Sequence, residues 1–478
     1  MKTYKKIFFA LLAISASALT GCELTKVDNP NVTSDVYLNT PNATKSWILG
    51  LRRQMALTLN QVVVNTELVS DDYFNNRTLS SKVFDIPQIQ NFDLDVNNIQ
   101  AAVHRLRELS EYGLNTVIKA DATTLPSEKA EMLFFNAYAH VWSGELFVAL
   151  PGSSKGAMLS PAEHYKVALA ALEEAIPLQT DPAEKLAYTL LKARVYYDLG
   201  MPDQAKEFAV AAMANKLLLK QIKFDGQNSA SNDFQTYTYS SSTNEFAPLP
   251  RLDFLDPKYY HITTIALEQK PISIVKSEEA YLILAEVQIS ANDLAGGRTT
   301  LKNLLSDVIA NRSVASVDDK KETRNGGNRT DYPLKAVKVK FDANAQERSG
   351  YVLDRQTGNI SVYTVSGTKV TAEDLDQAAT QDDLLYLVYR MRQEIFFAEG
   401  RRMADLGIKF PVSQTEQLNN SYVKPEHTIA QVPSFIPLNR DMDDFTNNTA
   451  LGVVTMKYDM NKVLVANKKA KEVFPFIN

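Results

Sequence analysis

The sequence predicts a mostly α-helical protein, a tetratricopeptide-like scaffold of paired helices with long irregular loops and a few short strands. Apolar residues recur at helical spacing mainly over 41–215, 276–312 and 381–406. Two regions, about 223–264 and 314–371, lack that spacing and are rich in polar and aromatic residues. A helical frame that carries long loops is a common way to build a binding face.

The first helical region divides into several helices. The predicted helices include Val96–Lys119, Ser127–Ala149, Pro161–Ile176 and Ala183–Leu199. The apolar stripe of the first of these changes phase near Tyr112-Gly113. Ser160 is a good N-cap for the third, because Pro161 and Glu163 follow it in the first turn.

One stretch, KARVYYDLGMPDQAKEFAVAAM, has the residue spacing of a tetratricopeptide repeat. The matching positions are Ala193, Tyr196, Gly200, Ala205, Ala209 and Ala212. Small residues let paired helices approach closely, a tyrosine fills the gap between them, and a glycine makes the turn. The alternative is an ordinary helical hairpin. Lys276–Ser290 with Leu294–Asn311 is a second, less regular candidate pair.

The C-terminal half mixes irregular and helical segments. SGYVLDRQTGNISVYTV, at 349–365, alternates like a short hairpin. The spacing then predicts a helix over Gln381–Leu406, followed by a tail from Gly407 that is mostly loop.

The N-terminus reads as an export signal. Three lysines precede an apolar run, Ile7–Leu19, that is too short to span a bilayer. The run ends in Leu19-Thr20-Gly21-Cys22, which resembles the bacterial lipobox. The resemblance implies a signal peptide at 1–21, cleavage before Cys22 and lipid on that residue. The alternative is an ordinary signal peptide with a leftover cysteine. Cys22 is the only cysteine of the chain, so it has no disulfide partner.

Charge and hydropathy exclude some classes of partner. The formal net charge is −5, or −8 without the three lysines of the signal, which argues against nucleic-acid binding. No apolar run after the signal reaches transmembrane length either, so we expect contact with the membrane through the lipid anchor only.

Three stretches resemble the SusD/RagB family of outer-membrane nutrient-binding lipoproteins. They are AEMLFFNAYAHVWSGELFVALP, KSEEAYLILAE and YRMRQEIFFAEGRRMADLG. The matching residues are Ala130, Glu131, Ala137, Tyr138, Leu146, Phe147 and Pro151 in the first stretch, Glu279, Leu282, Ala285 and Glu286 in the second, and Arg392, Glu399, Gly400, Arg402, Asp405 and Leu406 in the third. Four departures, Asn136, Val148-Ala149, Lys276 and Glu394, indicate a divergent member.

The charges of the third stretch have a structural interpretation of their own. On a helix, Glu399 and Arg402 would lie three apart, as would Arg402 and Asp405, while Arg401 and Asp405 would lie four apart. Such charges more often form an ion-pair network between helices than a catalytic site.

The resemblance implies one SusD-like domain over 22–478 at the cell surface, anchored in the outer membrane through Cys22. Family members are not enzymes. They bind an oligosaccharide, or in some cases a peptide, and deliver it to a SusC-like TonB-dependent transporter. No catalytic residue, metal or cofactor is implied.

Sugar binding needs exposed aromatic faces beside hydrogen-bonding side chains. Two polar, aromatic stretches offer this mixture, and the alternative for both is that the aromatic rings pack inward as loop anchors. The candidate ligand-binding residues are Asp71, Asp72, Tyr73, Phe74, Asn75, Asn76 and Arg77 in the first stretch, and Tyr237, Tyr239 and Asn244 in the second. We expect Asp72→Ala or Tyr73→Ala to weaken binding without unfolding the helices.

Two other classes of function remain. A surface glycosidase would need two carboxyl groups at a defined separation, and its acids leave no compact motif to search for. An envelope assembly scaffold would use the tetratricopeptide pattern without a small ligand, but it has less use for long aromatic loops.

Overall fold

The computed structural model describes Leu38 and residues 40–76, 84–239, 245–260, 264–320, 329–355, 357–439 and 441–477. The predicted signal peptide at 1–21 and Cys22 lie outside these residues. Within the described residues, no helix is both long and apolar enough to cross a membrane.

The architecture is mostly α-helical, as the sequence predicts. The α-helices of four or more residues are α1 (Ala43–Val69), α2 (Leu94–Tyr112), α3 (Pro126–Leu146), α4 (Pro161–Leu178), α5 (Pro182–Asp198), α6 (Pro202–Ala212), α7 (Asp233–Thr238), α8 (Glu278–Ser290), α9 (Leu294–Asn303), α10 (Ala372–Gln377), α11 (Gln381–Ile395), α12 (Arg402–Asp405), α13 (Gln414–Asn419) and α14 (Met460–Ala466). Helices α3 with α4, α5 with α6, and α8 with α9 pack as successive pairs.

The tetratricopeptide prediction is confirmed at α5–α6. The four alanines of the pattern, Ala193, Ala205, Ala209 and Ala212, are fully buried between the helices. The Tyr196 ring stacks on Phe208 with centroids 5.5 Å apart. Gly200 makes the turn with φ +68°, a conformation that glycine adopts without strain.

A π-helical turn, Gly113–Val117, follows α2 where the sequence changes phase. A Cβ at Gly113 would lie only 2.7 Å from Met132 Sδ and 2.8 Å from Trp47 Nε1. Gly113 therefore allows α3 and the start of α1 to pack closely against this turn.

The strands are short and form small sheets. They are β1 (Tyr73–Asn75), β2 (Leu150–Pro151), β3 (Met158–Leu159), β4 (Leu219–Ile222), β5 (Phe246–Pro248), β6 (Ile272–Lys276), β7 (Val314–Asp318), β8 (Lys338–Lys340), β9 (Asn359–Tyr363), β10 (Phe445–Asn448) and β11 (Val453–Met456). The antiparallel pairs are β1–β5, β2–β3, β4–β6, β7–β9 and β10–β11, and β8 joins β11 in parallel.

Two predicted elements are corrected. Residues 349–365 do not form a hairpin, because β9 pairs with β7, a strand more than forty residues earlier along the chain. The helix predicted over Gln381–Leu406 ends at Ile395, because Ala398 (φ +58°) and Gly400 (φ +74°) turn the chain before α12 begins.

Candidate functional site

The first stretch of candidate ligand-binding residues lies inside the protein. Its described members, Asp71, Asp72, Tyr73, Phe74, Asn75 and Asn76, are each at most 4% exposed. Strand β1 pairs with β5, the Tyr73 ring stacks on Phe397 at 4.8 Å, and its hydroxyl group donates to Asp256 at 3.1 Å. The predicted exposed surface at 71–76 is therefore corrected, and the alternative that its aromatic rings anchor the chain inward is confirmed. Arg77 lies outside the described residues.

The candidate residues of the second stretch differ in their exposure to solvent. Tyr239 is buried and donates to Asp256 at 2.7 Å, so its predicted exposure is also corrected. Tyr237 is partly exposed, and its ring packs against Phe246 with centroids 5.0 Å apart. Asn244 lies outside the described part of the chain.

The charged residues of the third SusD/RagB-like stretch form buried ion pairs, as the structural interpretation predicts. Their partners, however, lie on other elements rather than one helical turn away, because the chain turns at Ala398–Gly400. The pairs are Arg402 Nε–Asp71 Oδ1 at 2.6 Å, Arg392 Nη2–Asp405 Oδ1 at 2.6 Å, Arg401 Nη2–Glu279 Oε1 at 2.8 Å and Lys276 Nζ–Glu399 Oε2 at 2.8 Å. Lys276, a departure from the family pattern, thus still supplies a cation. We call these pairs the signature network.

Asp71 and Asp72 differ sharply in their surroundings. Burial opposes ionisation of Asp71, but Arg402 and Arg251 outweigh it and lower the pKa of Asp71. Burial and the adjacent charge of Asp71 raise the pKa of Asp72 to about 7. Gln393 Nε2 donates to Asp72 Oδ1 at 2.7 Å. Both acids are therefore structural groups in the core, out of reach of a substrate.

An exposed surface with the chemistry of a sugar site lies beside the N-terminus of α2. Phe92 is 64% exposed and Tyr422 is 56% exposed. Asn91 Nδ2 donates to Gln417 Oε1 at 2.9 Å, and Gln414 N donates to Asn91 O at 2.7 Å, which places α13 against this segment. We define the Phe92 surface as Asn91, Phe92, Asp95, Tyr237 and Gln417.

Tyr237 connects this surface to the predicted candidates. Burial raises the pKa of Tyr237, and the charges of Asp233, Glu245 and Asp95 raise it further. Asp95 belongs to the first turn of α2, close to Phe92. The surface therefore combines aromatic rings with amide and carboxyl groups, the mixture that a carbohydrate requires.

Sequence reasoning did not identify Phe92, Gln417 or Tyr422. Both rings lie outside a helical stripe: Phe92 has a polar residue on each side in QNFDL, and Tyr422 follows three polar residues in NNSYV. An isolated aromatic residue in such a context is a usable signal for an exposed ring. The contact between the Phe92 segment and α13, more than 300 positions away along the chain, leaves no pattern in the local sequence.

No group of three or more His, Cys, Asp or Glu side chains in the described ranges is arranged to hold a metal ion. Two of the histidines bond to each other, His140 Nδ1 to His164 Nδ1 at 2.8 Å. His164 Nε2 contacts the carbonyl oxygen of Leu150 at 3.0 Å. Since a carbonyl accepts, His164 Nδ1 is the acceptor of the pair and His140 the donor. These imidazoles are packed as core groups.

The fold matches solved structures although the sequence matches little. No protein-family model matches the chain, and no curated protein matches it by sequence. A SusD-like carbohydrate-binding protein from Bacteroides vulgatus is similar over 90% of this chain and 97% of its own, with 12% identity and a TM-score of 0.52. Another B. vulgatus protein, provisionally described as sugar-binding, is 13% identical over 83% of this chain and 100% of its own, with a TM-score of 0.54.

A SusD superfamily protein from Bacteroides thetaiotaomicron is 11% identical, with a TM-score of 0.51 over 81% of this chain and 92% of its own. These likenesses establish a SusD-like fold, and they confirm the resemblance predicted from the three sequence stretches at the level of fold.

Proposed function

We propose that this chain, which has the SusD-like fold, captures an oligosaccharide at the Phe92 surface and delivers it to a TonB-dependent transporter in the outer membrane. The observation that carries the proposal is an exposed surface of aromatic rings, amides and a carboxyl group on this fold. A similarly folded B. vulgatus protein is described as carbohydrate-binding, which supports the same ligand class here.

The proposal includes attachment to the outer surface of the cell through lipid on Cys22. Two or more acyl chains give firm attachment, whereas one is marginal. Tethering the protein beside its transporter would raise the effective concentration of the two partners.

The proposed role is binding without catalysis. A glycosidase needs two accessible carboxyl groups that flank the scissile bond. Asp71 and Asp72, the adjacent acids in the predicted site, are fully buried, and Asp71 is held by two arginines. Incubation of oligosaccharides with the protein should leave them intact, and release of shorter sugars would refute this part of the proposal.

The direct test is calorimetry of the purified protein with a panel of oligosaccharides and, as a separate arm, peptides. Phe92→Ala and Tyr237→Ala should each weaken binding of a saccharide hit by about 2- to 12-fold, the loss expected for one aromatic contact. Tyr458→Ala is a matched control, because Tyr458 is a partly exposed tyrosine outside the Phe92 surface.

Equal affinity of all three variants and wild type would remove the Phe92 surface from the site. A peptide hit that depends on Phe92 would keep the site and change the ligand class.

The scaffold alternative is favoured by one observation, the successive helix pairs of tetratricopeptide type. Co-purification with a large outer-membrane barrel, together with no binding to any saccharide or peptide, would support it.

A further inference from the structure

A cavity of about 390 Å³ lies between the ends of α3 and α5, the α11–α12 turn and the C-terminal segment 471–475. This volume falls within the range of small-molecule sites. Tyr389 and Phe474 form part of its wall, with ring centroids 4.3 Å apart. The cavity is separate from the Phe92 surface, because no residue of that surface lines it.

Four acids line the cavity: Asp405 pairs with Arg392, Glu145 and Asp198 lie together, and Glu472 makes no ion pair with a described residue. Glu145 receives two hydrogen bonds from Arg194, at 2.6 and 2.5 Å. Burial would raise the pKa of Glu145, but Arg194 and Arg401 lower it overall. Burial and the charge of Glu145 raise the pKa of the neighbouring Asp198 well above its usual range. Asp198 Oδ2 is buried with no hydrogen-bond partner among the described residues, which fits a protonated carboxyl group rather than an ionised one.

The basic side of the cavity has unused capacity. Lys409 Nζ donates to the carbonyl oxygens of Gly144 and, at 3.0 Å, Glu145, and within the described ranges it makes no salt bridge. Burial lowers the pKa of Lys409 to about 8, so the amine is still charged at neutral pH. Arg401 makes one hydrogen bond to another described side chain, to Glu279, and is 10% exposed. Buried charges in proteins are normally paired, but among the described residues no carboxylate lies within ion-pair distance of Lys409 Nζ; Asp198 and Glu145 act on it only from farther away.

We propose that this cavity binds a small hydroxy-carboxylate, the chemistry shared by free hydroxy acids and the uronic acid units of acidic glycans. The carboxylate would pair with Lys409 and Arg401, where charge-assisted hydrogen bonds are strongest. The hydroxyl groups would contact the neutral Asp198 carboxyl group, and the nonpolar face of the ligand would lie on the Tyr389–Phe474 wall. The site does not depend on the proposed capture of an oligosaccharide at the Phe92 surface.

The test is calorimetry at pH 7 with glucuronate, and with glucose as the probe that has the same ring and no carboxylate. Wild type should bind glucuronate and show at least about tenfold weaker binding of glucose. Gluconate, which has no sugar ring, distinguishes the sources: binding comparable to glucuronate indicates free hydroxy acids, and much weaker binding indicates uronic acids. No binding of either acid, or equal binding of glucose and glucuronate, would overturn the proposal.

Variants locate the site. Lys409→Met should weaken glucuronate binding at least about tenfold, while Lys335→Met, at an exposed lysine outside the cavity, should not change it. Unchanged binding in Lys409→Met would place the ligand elsewhere and refute the site.

Asp198→Asn should retain affinity within about twofold, because the amide mimics a protonated carboxyl group. A large loss in folded Asp198→Asn would show that the cavity requires an ionised acid, contrary to the proposal. Phe92→Ala should leave glucuronate binding unchanged, so failure of the capture proposal and failure of this one are distinguishable.

Discussion

Replacing Asp71 by Asn should destabilise the protein, whereas the same replacement at Asp72 should not. Asp71 pairs with both Arg402 and Arg251, and all three side chains are buried. Removing one partner of a buried ion pair leaves an uncompensated charge and costs about 3–5 kcal/mol. The pKa of Asp71 is lowered in the folded state, so this stabilisation is present above its usual pKa of 3.8 and is lost as the pH falls below it.

Asp72→Asn should act in the opposite direction. The pKa of Asp72 is raised from 3.8 to about 7 by burial and by Asp71, so its contribution to stability is lost as the pH rises from 3.8 through 7. That change corresponds to about 4 kcal/mol at and above pH 7. An asparagine keeps an acceptor for Gln393 and removes the buried charge. Burying its amide group costs some free energy, which offsets part of this stabilisation. The expected net effect at pH 8 is a stabilisation of about 1–3 kcal/mol.

The assay is urea unfolding followed by circular dichroism, with wild type and both variants measured at pH 5 and pH 8. The midpoint of Asp71→Asn should lie far below that of wild type at both values. The midpoint of Asp72→Asn should exceed that of wild type at pH 8, and the excess should shrink at pH 5. Equal destabilisation by the two replacements at pH 8 would refute the reasoning. An unchanged unfolding midpoint for Asp72→Asn at pH 8 would also refute it, and would favour the sequence-based expectation that a change at Asp72 affects only binding.

Three further predictions test other parts of the core. Asp443, a buried carboxyl group with no hydrogen-bond partner among the described residues, has a pKa raised well above its usual range by burial and Asp85. Asp443→Asn should therefore stabilise the protein at pH 7 and not at pH 3.5, and an equal urea midpoint at pH 7 would contradict this. Burial lowers the pKa of His140 to about 3 and of His164 to about 4. Protein stability should therefore fall as the pH drops from 6.5 towards 4, and assigned NMR signals of these two imidazoles that titrate near 6.5 would count against this prediction. Gly200→Ala should lower the free energy of unfolding by about 1–2 kcal/mol because of the left-handed backbone, and further because its Cβ would lie 2.9 Å from Pro475 O. Gly452→Ala is the control, because Gly452 also has a positive φ, +63°, but open space around it. The two variants are compared by their unfolding midpoints.

Local sequence was sufficient for most helices and their ends. Ser160 is the predicted N-cap of α4, and Glu163 in the first turn accepts a hydrogen bond from Ser160 N to its Oε2 at 2.7 Å. The alanines of the repeat pattern pack where their spacing requires, because contacts between α5 and α6 join residues close along the chain. The helix predicted through Ala398 failed at a left-handed turn that is stabilised from outside: Glu67 accepts hydrogen bonds from Gly400 N at 2.7 Å and Ala398 N at 3.3 Å.

The sequence by itself determined the helical scaffold, the repeat pair and the buried ionic character of the signature residues, because these depend on spacing, caps and small residues within one or two turns. It also supplied the lipobox on which the anchoring proposal depends. Only the tertiary structure decided which side of the loops faces solvent. Asp71 meets Arg402 across 331 positions and Asn91 meets Gln417 across 326. A polar, aromatic stretch has the same composition whether it is paired inside a sheet or open to a ligand, so long-range pairing alone placed 71–76 in the core and Phe92 on the surface.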